Sequence, residues 1–436
     1  MKIIRSFFEL EKYNTSISRE VIAGLTTFTT MSYIVVVNPA ILSHAGIPAA
    51  PSFTATIVAA LFGCTLMGFY ANRPFAIAPY MGENAFIAFT VCVQLGYKWQ
   101  TALGAIFIAG ILFVILTVLR LRQWVVDSVP LSLRYSFAVG IGLFLTFIGL
   151  NQTGIVILGV AGAPVRAGHL NSAPVLVAIL GFVLLSVLVI RKVPGAILLG
   201  IVATAILAFL TKTAAPPAHF ISLPPSLAPI TMRMDIRAAL SWSAFPVVLT
   251  VFIMAFVDTM GTLIGLSARA GFLDKDGKLP QIERPMMVDA LTTTLAPMIG
   301  TTTSGAYVES ATGIEAGGRT GLTALVTAAG FALTLFFSPF VTSIPPQAYA
   351  PAMVIVGLFM LEPITRIDFS DYTESIPAFA VVTLMCFTFN IGVGITAGFI
   401  LYPLGKIVTG KARQIRPGMW VLTGLSVLFF VFYPYG

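Results

Sequence analysis

Charge is scarce in this chain. Of its 436 residues 10% are Asp, Glu, Lys or Arg, and 57% are hydrophobic. A water-soluble domain of this size needs a more polar surface, so a soluble fold is excluded and an all-α polytopic membrane protein is implied. Cysteine is equally sparse: Cys64, Cys92 and Cys386 fall in apolar segments without CxxC spacing. That pattern leaves reduced packing residues and argues against a redox centre. The three histidines, His44, His169 and His219, fall in expected outside loops, and no HExxH string or ligand cluster accompanies them. No metal site and no cofactor are therefore expected.

What is abundant is the apolar run. A spanning helix needs about 20 apolar residues, and the runs here leave room for roughly 13 to 15 spans. The net charge of +8 points to topology signals rather than to nucleic acid, because the basic residues sit in short loops between apolar runs. Lys2, Arg5, Lys12 and Arg19 precede the first run, which predicts a cytoplasmic N terminus in a multi-pass inner-membrane protein. Arg120 with Arg122, Arg191 with Lys192, the 269 to 284 loop, and Lys406 to Arg416 are expected on the same side. Within that loop Asp274-Lys275-Asp276-Gly277 reads as a tight turn.

Short strings recur in order along the chain. Thr30-Met31 returns as Thr259-Met260, Glu83-Asn84-Ala85 as Glu309-Ser310-Ala311, and Thr101-Ala102-Leu103 as Thr323-Ala324-Leu325. Gly142-Leu143-Phe144 returns as Gly357-Leu358-Phe359, and Ser172-Ala173-Pro174 as Ser375-Ile376-Pro377. The offset shrinks steadily from 229 to 203, as it does in a duplication with unequal loops. The expected spans are 17 to 38, 52 to 71, 75 to 95, 101 to 119, 131 to 150, 173 to 190 and 194 to 211. The second copy follows at 243 to 267, 285 to 300, 303 to 319, 321 to 341, 349 to 363, 375 to 389 and 391 to 408. Seven spans per copy force the second to start on the opposite face, so 14 segments in a 7+7 inverted repeat are expected. Residues 1–212 form the first repeat, 213–242 a Pro-rich outside linker, 243–416 the second repeat, and 417–436 an apolar tail, either interfacial or spanning.

Two acids stand alone in apolar sequence. Asp258 is the only charge between Arg237 and Arg269, and Glu309 the only one between Asp289 and Glu315. An ionised carboxylate at the bilayer centre costs about 2.5 to 3.5 kcal/mol on insertion scales, so it marks a functional position. Beside these acids the helices break. Pro74, Pro79 and Gly82 forbid a continuous helix up to Glu83, and Thr301-Thr302-Thr303-Ser304-Gly305-Ala306-Tyr307 favours an extended strand. A strand leading into a half-helix is thus expected in the third and tenth spans. Such backbone is tolerated at that depth only when it is paired or lines a cavity. Free amides at Asn84 and Ser310 would supply donors, and Asp258 and Glu309 acceptors. A flat, neutral, polar heterocycle suits that set, with Tyr307 or Phe86 as a stacking face. A desolvated carboxyl group also takes up a proton more readily than one in water, which offers H+ as the coupling ion.

At these residues the chain resembles the nucleobase-cation symporter family 2, in its adenine, guanine and hypoxanthine permease branch. The strings are Met81-Gly82-Glu83-Asn84-Ala85, Asp258-Thr259-Met260-Gly261-Thr262, Tyr307-Val308-Glu309-Ser310-Ala311, Gly317-Gly318-Arg319-Thr320-Gly321 and Thr373-Glu374-Ser375-Ile376-Pro377-Ala378. The likeness implies a UraA-like fold with a core domain of spans 1–4 and 8–11 beside a gate domain of spans 5–7 and 12–14. It implies proton-coupled purine uptake, with Asp258 and Glu309 holding the base and Asn84 and Ala85 at the start of the half-helix. Tyr307 would stack, and Thr259, Ser310 and Phe86 would complete the substrate set. Asp289 would steady the core or join proton transfer, Glu83 would join Asp258 and Glu309 in that transfer, and a homodimer would form through the gate domain. In one departure, this chain has Ala255 where many members of the branch carry a second Asp.

The alternatives are weaker. An anion transporter or exchanger of the same fold would face repulsion from two buried acids. Glu83 is equally suited to capping its half-helix or reaching an Arg, and Asp289 to capping a neighbouring one. Arg319 with its glycines reads as a helix end, since the stretch lacks the ending of a P-loop. Glu362 and Arg366 read as an ordinary helix pair. The strings of intramembrane aspartyl proteases are missing, so an enzyme is not expected, and broken helices suit alternating access better than a passive channel.

Overall fold

A computed structural model describes residues 2–119, 128–160, 163–274 and 279–434. Arg120, Arg122 and the Lys275 to Gly277 turn lie outside the described residues. Nine helices among the described residues are long and apolar enough to cross a membrane, from Ile17–His44 to Ile391–Val408. Three shorter apolar helices, Ala196–Leu210, Tyr372–Phe387 and Pro417–Phe432, accompany them. The chain is a multi-pass, mostly helical membrane protein.

Helix ends follow local side-chain chemistry. Asp371 accepts from the Thr373 amide at 2.8 Å and so starts Tyr372–Phe387. Asn390 accepts from the Val393 amide at 3.2 Å and starts Ile391–Val408. Lipid gives helices no hydrophobic reason to associate, so they meet through small residues that let backbones touch. A Cβ on Gly142 would lie 2.7 Å from the Gly357 carbonyl oxygen, which places Leu131–Gln152 directly on Pro346–Phe359.

The helices sort into two packing groups. Ile17–Met31 and Ala49–Leu66 pack on Gly321–Thr334, and Trp99–Val118 packs on Glu283–Met298 and Phe245–Ala270. Leu131–Gln152 packs on Pro346–Phe359 and Tyr372–Phe387, Ala173–Ile190 on Ala196–Leu210, and Ile391–Val408 on Pro417–Phe432. The first group encloses two short buried strands, β1 (Ile77–Pro79) and β4 (Ser304–Ala306). An exposed hairpin of β2 (Val156–Val160) and β3 (Ala163–Ala167) was not foreseen in the loop after Gln152.

Several boundaries move. The first expected span extends to His44, so that histidine ends a helix instead of lying in a loop; its ring packs on Phe89 and lies 3.2 Å from the Gln152 amide. The 213–242 segment is laid across helix ends, with the Ser222, Met232 and Asp235 amides bonded to Phe336, Met298 and Gln100 carbonyls. The tail forms Pro417–Phe432, about 24 Å long at 1.5 Å per residue, which is short of a full hydrocarbon crossing.

Candidate functional site

The site is built where the two helix breaks meet. β1 and β4 pair antiparallel with Ile77 opposite Ala306, Ala78 opposite Gly305 and Pro79 opposite Ser304. The ladder continues through the Tyr80 amide to the Thr303 carbonyl at 3.0 Å and the Tyr307 amide to the Ala76 carbonyl at 2.9 Å. Side chains satisfy what the two strands leave open, as backbone buried away from water requires. Cys64 Sγ accepts from the Ile77 amide at 3.1 Å, so this cysteine braces a strand as well as filling space. Thr293 donates to the Ser304 carbonyl at 2.9 Å, Asp289 Oδ2 accepts from the Ala306 amide at 3.2 Å, and Ser310 Oγ accepts from the Ala76 amide at 2.9 Å. Asp289 therefore holds a strand.

Two tyrosines flank the strands. The Tyr80 and Tyr307 rings lie 6.3 Å apart and within 7° of parallel, and the Tyr307 hydroxyl donates to the Pro79 carbonyl. Any side chain at position 305 would overlap the Tyr80 ring, which is why glycine stands there. Tyr307 is buried against Tyr80, and Phe86 is buried as well.

Helices leave both strands. Met81–Ala85 follows β1 and continues as a wider π-helix, Phe86–Gln94, a form that recurs at functional sites. Ser310–Glu315 follows β4. The expected free amides at Asn84 and Ser310 are both used. Asn84 closes a turn on the Tyr80 carbonyl and Ser310 on the Tyr307 carbonyl, each at 3.0 Å. Each residue sits far enough into its turn to find an upstream partner.

The acids fall in unlike surroundings. Asp258 is half-buried midway along Phe245–Ala270, and its neighbour Thr259 has its hydroxyl 3.4 Å from that of Tyr80. Glu309 is half-buried at the start of its helix and accepts from the Tyr33 hydroxyl at 2.6 Å. Glu83 is fully buried, facing Asp258 and Thr303, and neither of its carboxylate oxygens is in a hydrogen bond. It thus neither caps the half-helix nor reaches an Arg, because its side chain points across to the Phe245–Ala270 helix. Asn84 Oδ1 accepts from Thr302, while Asn84 Nδ2 has no partner. Ala85 is buried next to it.

Sequence reasoning missed Tyr33 and Glu20. Glu20 is fully buried and accepts from the Arg319 amide at 3.0 Å, the Thr320 amide at 3.2 Å and hydroxyl at 2.9 Å, and the Thr323 hydroxyl at 2.6 Å. Arg319 in turn donates to the Ile314 carbonyl at 2.6 Å, closing the helix that Glu309 begins. Gly317, at φ +104°, makes the turn between the two. The distinctive Gly-Gly-Arg-Thr-Gly string is thus a joint that ends one helix and starts the next. The clue was the same as for Asp258: Glu20 is an acid at the edge of an apolar run.

Comparisons with known proteins give the family and the fold. Residues 18–401 match the family described as a permease family. A protein of Methanocaldococcus jannaschii named as a permease is 44% identical over 99% of both chains. The adenine permease AdeP of Escherichia coli is 38% identical, covering 99% of this chain and 96% of the relative. The guanine/hypoxanthine permease PbuO of Bacillus subtilis is 40% identical, covering 97% and 99%. Among solved structures, the transmembrane domain of the cyanobacterial bicarbonate transporter BicA superposes with a TM-score of 0.65 at 16% identity, covering 87% of this chain and 96% of that one. That likeness concerns the fold alone.

Proposed function

Because this chain belongs to the nucleobase-cation symporter family 2, in its adenine, guanine and hypoxanthine permease branch, we propose that it carries purine bases into the cell with a proton. One observation carries the reading: two half-buried carboxyl groups, Asp258 and Glu309, stand beside paired strands from which two short helices depart. A purine offers ring and exocyclic N–H groups to those acceptors. Tyr33 fixes Glu309 by its hydroxyl and so aims the carboxylate. Thr259 and Ser310 frame the base, Asn84 and Ala85 begin the opposite helix, and Tyr307 and Phe86 supply apolar faces. Asp289 holds β4 in register, and Asp258, Glu309, Asp289 and Glu83 are the carboxyl groups available to a coupling proton.

The wider architecture belongs to the same proposal. Fourteen spans form an inverted repeat, with strand-plus-half-helix third and tenth spans and the N terminus in the cytoplasm. The helices around the strands act as a core that moves against a gate of the second packing group, which supports alternating access. The gate surface joins two copies as a dimer. An anionic cargo is disfavoured because both acids face the site.

The test is uptake of labelled adenine, guanine, hypoxanthine, uracil and bicarbonate by proteoliposomes with and without an inward proton gradient. Gradient-stimulated uptake of at least one purine, with no bicarbonate flux, is expected. Bicarbonate flux without purine uptake would overturn the reading.

A further inference from the structure

Glu83 sits deeper than the ligand-facing acids, and no hydrogen bond satisfies it. It is fully buried and neither carboxylate oxygen has a partner, whereas Asp258 is half-buried and Glu309 is held by Tyr33. An ionised carboxylate cannot persist in a dry interior without a cation or donors.

No basic group answers it from the elements packed around it. Helix Phe245–Ala270 turns Asp258 toward it, and the one basic residue of that helix, Arg269, is paired with Glu315 at 2.6 Å. Helix Leu131–Gln152 touches this turn through Ile141 at Gly82, and its Arg134 and Tyr135 lie near the helix start. Helix Ile34–His44 carries only His44, at its far end. Tyr80 feels Asp289, Asp258 and Glu83. Among the described residues, what faces Glu83 is therefore an acid, a phenol and the Thr303 hydroxyl.

We propose that Glu83 is the proton carrier of the transport cycle, exchanging its proton through Asp258. This rests on the purine-symport reading and deepens it. Asp258 acts on Glu83 and is the less buried of the two, so in this scheme the pair shares one proton. A base that donates N–H to Asp258 needs that carboxylate ionised, which leaves the shared proton on Glu83. Loading of base and loading of proton thereby favour each other, and linkage makes the effect reciprocal. After the base leaves, Asp258 accepts the proton from Glu83 and releases it to water. The emptied Glu83 then takes the Thr303 hydroxyl, which faces it and has no other partner. One site thus serves both protonation states of the carboxyl group.

The experiment uses the full-length protein and its Glu83→Gln variant in proteoliposomes, measuring gradient-driven purine accumulation and purine counterflow side by side. A pH difference of one unit supports about tenfold accumulation per coupled proton, since each unit is a factor of ten in proton activity. Wild type should reach that level. The variant, with a permanently neutral amide, should fall to no accumulation while counterflow stays within about threefold, because Asp258 and Glu309 still bind the base. Glu83→Asp, which keeps an acid, should restore accumulation in part. Accumulation by Glu83→Gln at the wild-type level would overturn the assignment, as would joint loss of accumulation and counterflow. Accumulation driven by Na+ instead of the pH difference would overturn it too. A wild type that moves no purine at all would instead defeat the function proposed above.

Discussion

The two helix breaks are near copies in backbone and opposites in chemistry. Each is a three-residue strand followed by a short helix, and the strands pair with each other. The first break is made by prolines and ends in Glu83, which is enclosed and unpartnered. The second is made by threonines and a glycine and ends in Glu309, which is half open and oriented by Tyr33. Two breaks of like backbone thus carry one acid that is half open and one that is enclosed. The anchoring differs too: Glu20 and Arg319 lock the second helix at its far end.

The comparison is broken most severely at the ligand side. Asp258→Asn and Glu309→Gln should each lower uptake by roughly a hundredfold or more, the scale on which a mismatched hydrogen-bonding site rejects its ligand. Initial rates in proteoliposomes check this, and wild-type rates would make both acids structural. Next comes the anchor. Glu20→Ala leaves the amides of Arg319 and Thr320 without their acceptor and should cost about 3 kcal/mol of stability, read as a lower apparent melting temperature in detergent. Because only the second break is tied to Glu20, protease sensitivity should rise around residues 310–320 and not around 77–85.

Smaller changes sharpen the contrast. Tyr33→Phe removes one hydrogen bond to a carboxylate, worth about 1.5 to 3 kcal/mol, and should raise the KM for purine by roughly tenfold or more. The same substitution at Tyr80, whose hydroxyl lies 3.4 Å from that of Thr259, removes a bond between neutral groups and should change KM by less. Smallest of all is Glu362→Gln. Its 2.7 Å pair with Arg366 is exposed on both sides, and exposed pairs contribute little, so uptake and melting should be unchanged.

The parts of this molecule that were legible in sequence are those where burial opposes chemistry. Asp258 and Glu309 could be found because a charge in an apolar run needs a reason, and the breaks because Pro79 and Gly305 cannot serve a continuous helix. The pairing of those breaks followed from the need to satisfy buried backbone. Tyr33 was hidden because a tyrosine in an apolar run looks like packing, and its hydroxyl acquires meaning only from Glu309, 276 residues away. Glu20 was hidden because it follows Arg19 at the charged start of the first run and does not stand alone in apolar sequence. The amides of Asn84 and Ser310 were misjudged because Asn84 lies inside Met81–Ala85 and a turn just before Ser310 already accepts its amide. The β2–β3 hairpin carries no apolar alternation strong enough to separate it from a loop, since every β3 residue is exposed.

The most direct measurement of the central claim is an experimental structure with guanine or hypoxanthine bound. The base should lie in front of β1 and β4, with N–H groups within hydrogen-bond distance of both Asp258 and Glu309. A base seated away from the two carboxyl groups, or touching only one packing group remote from the strands, would contradict it.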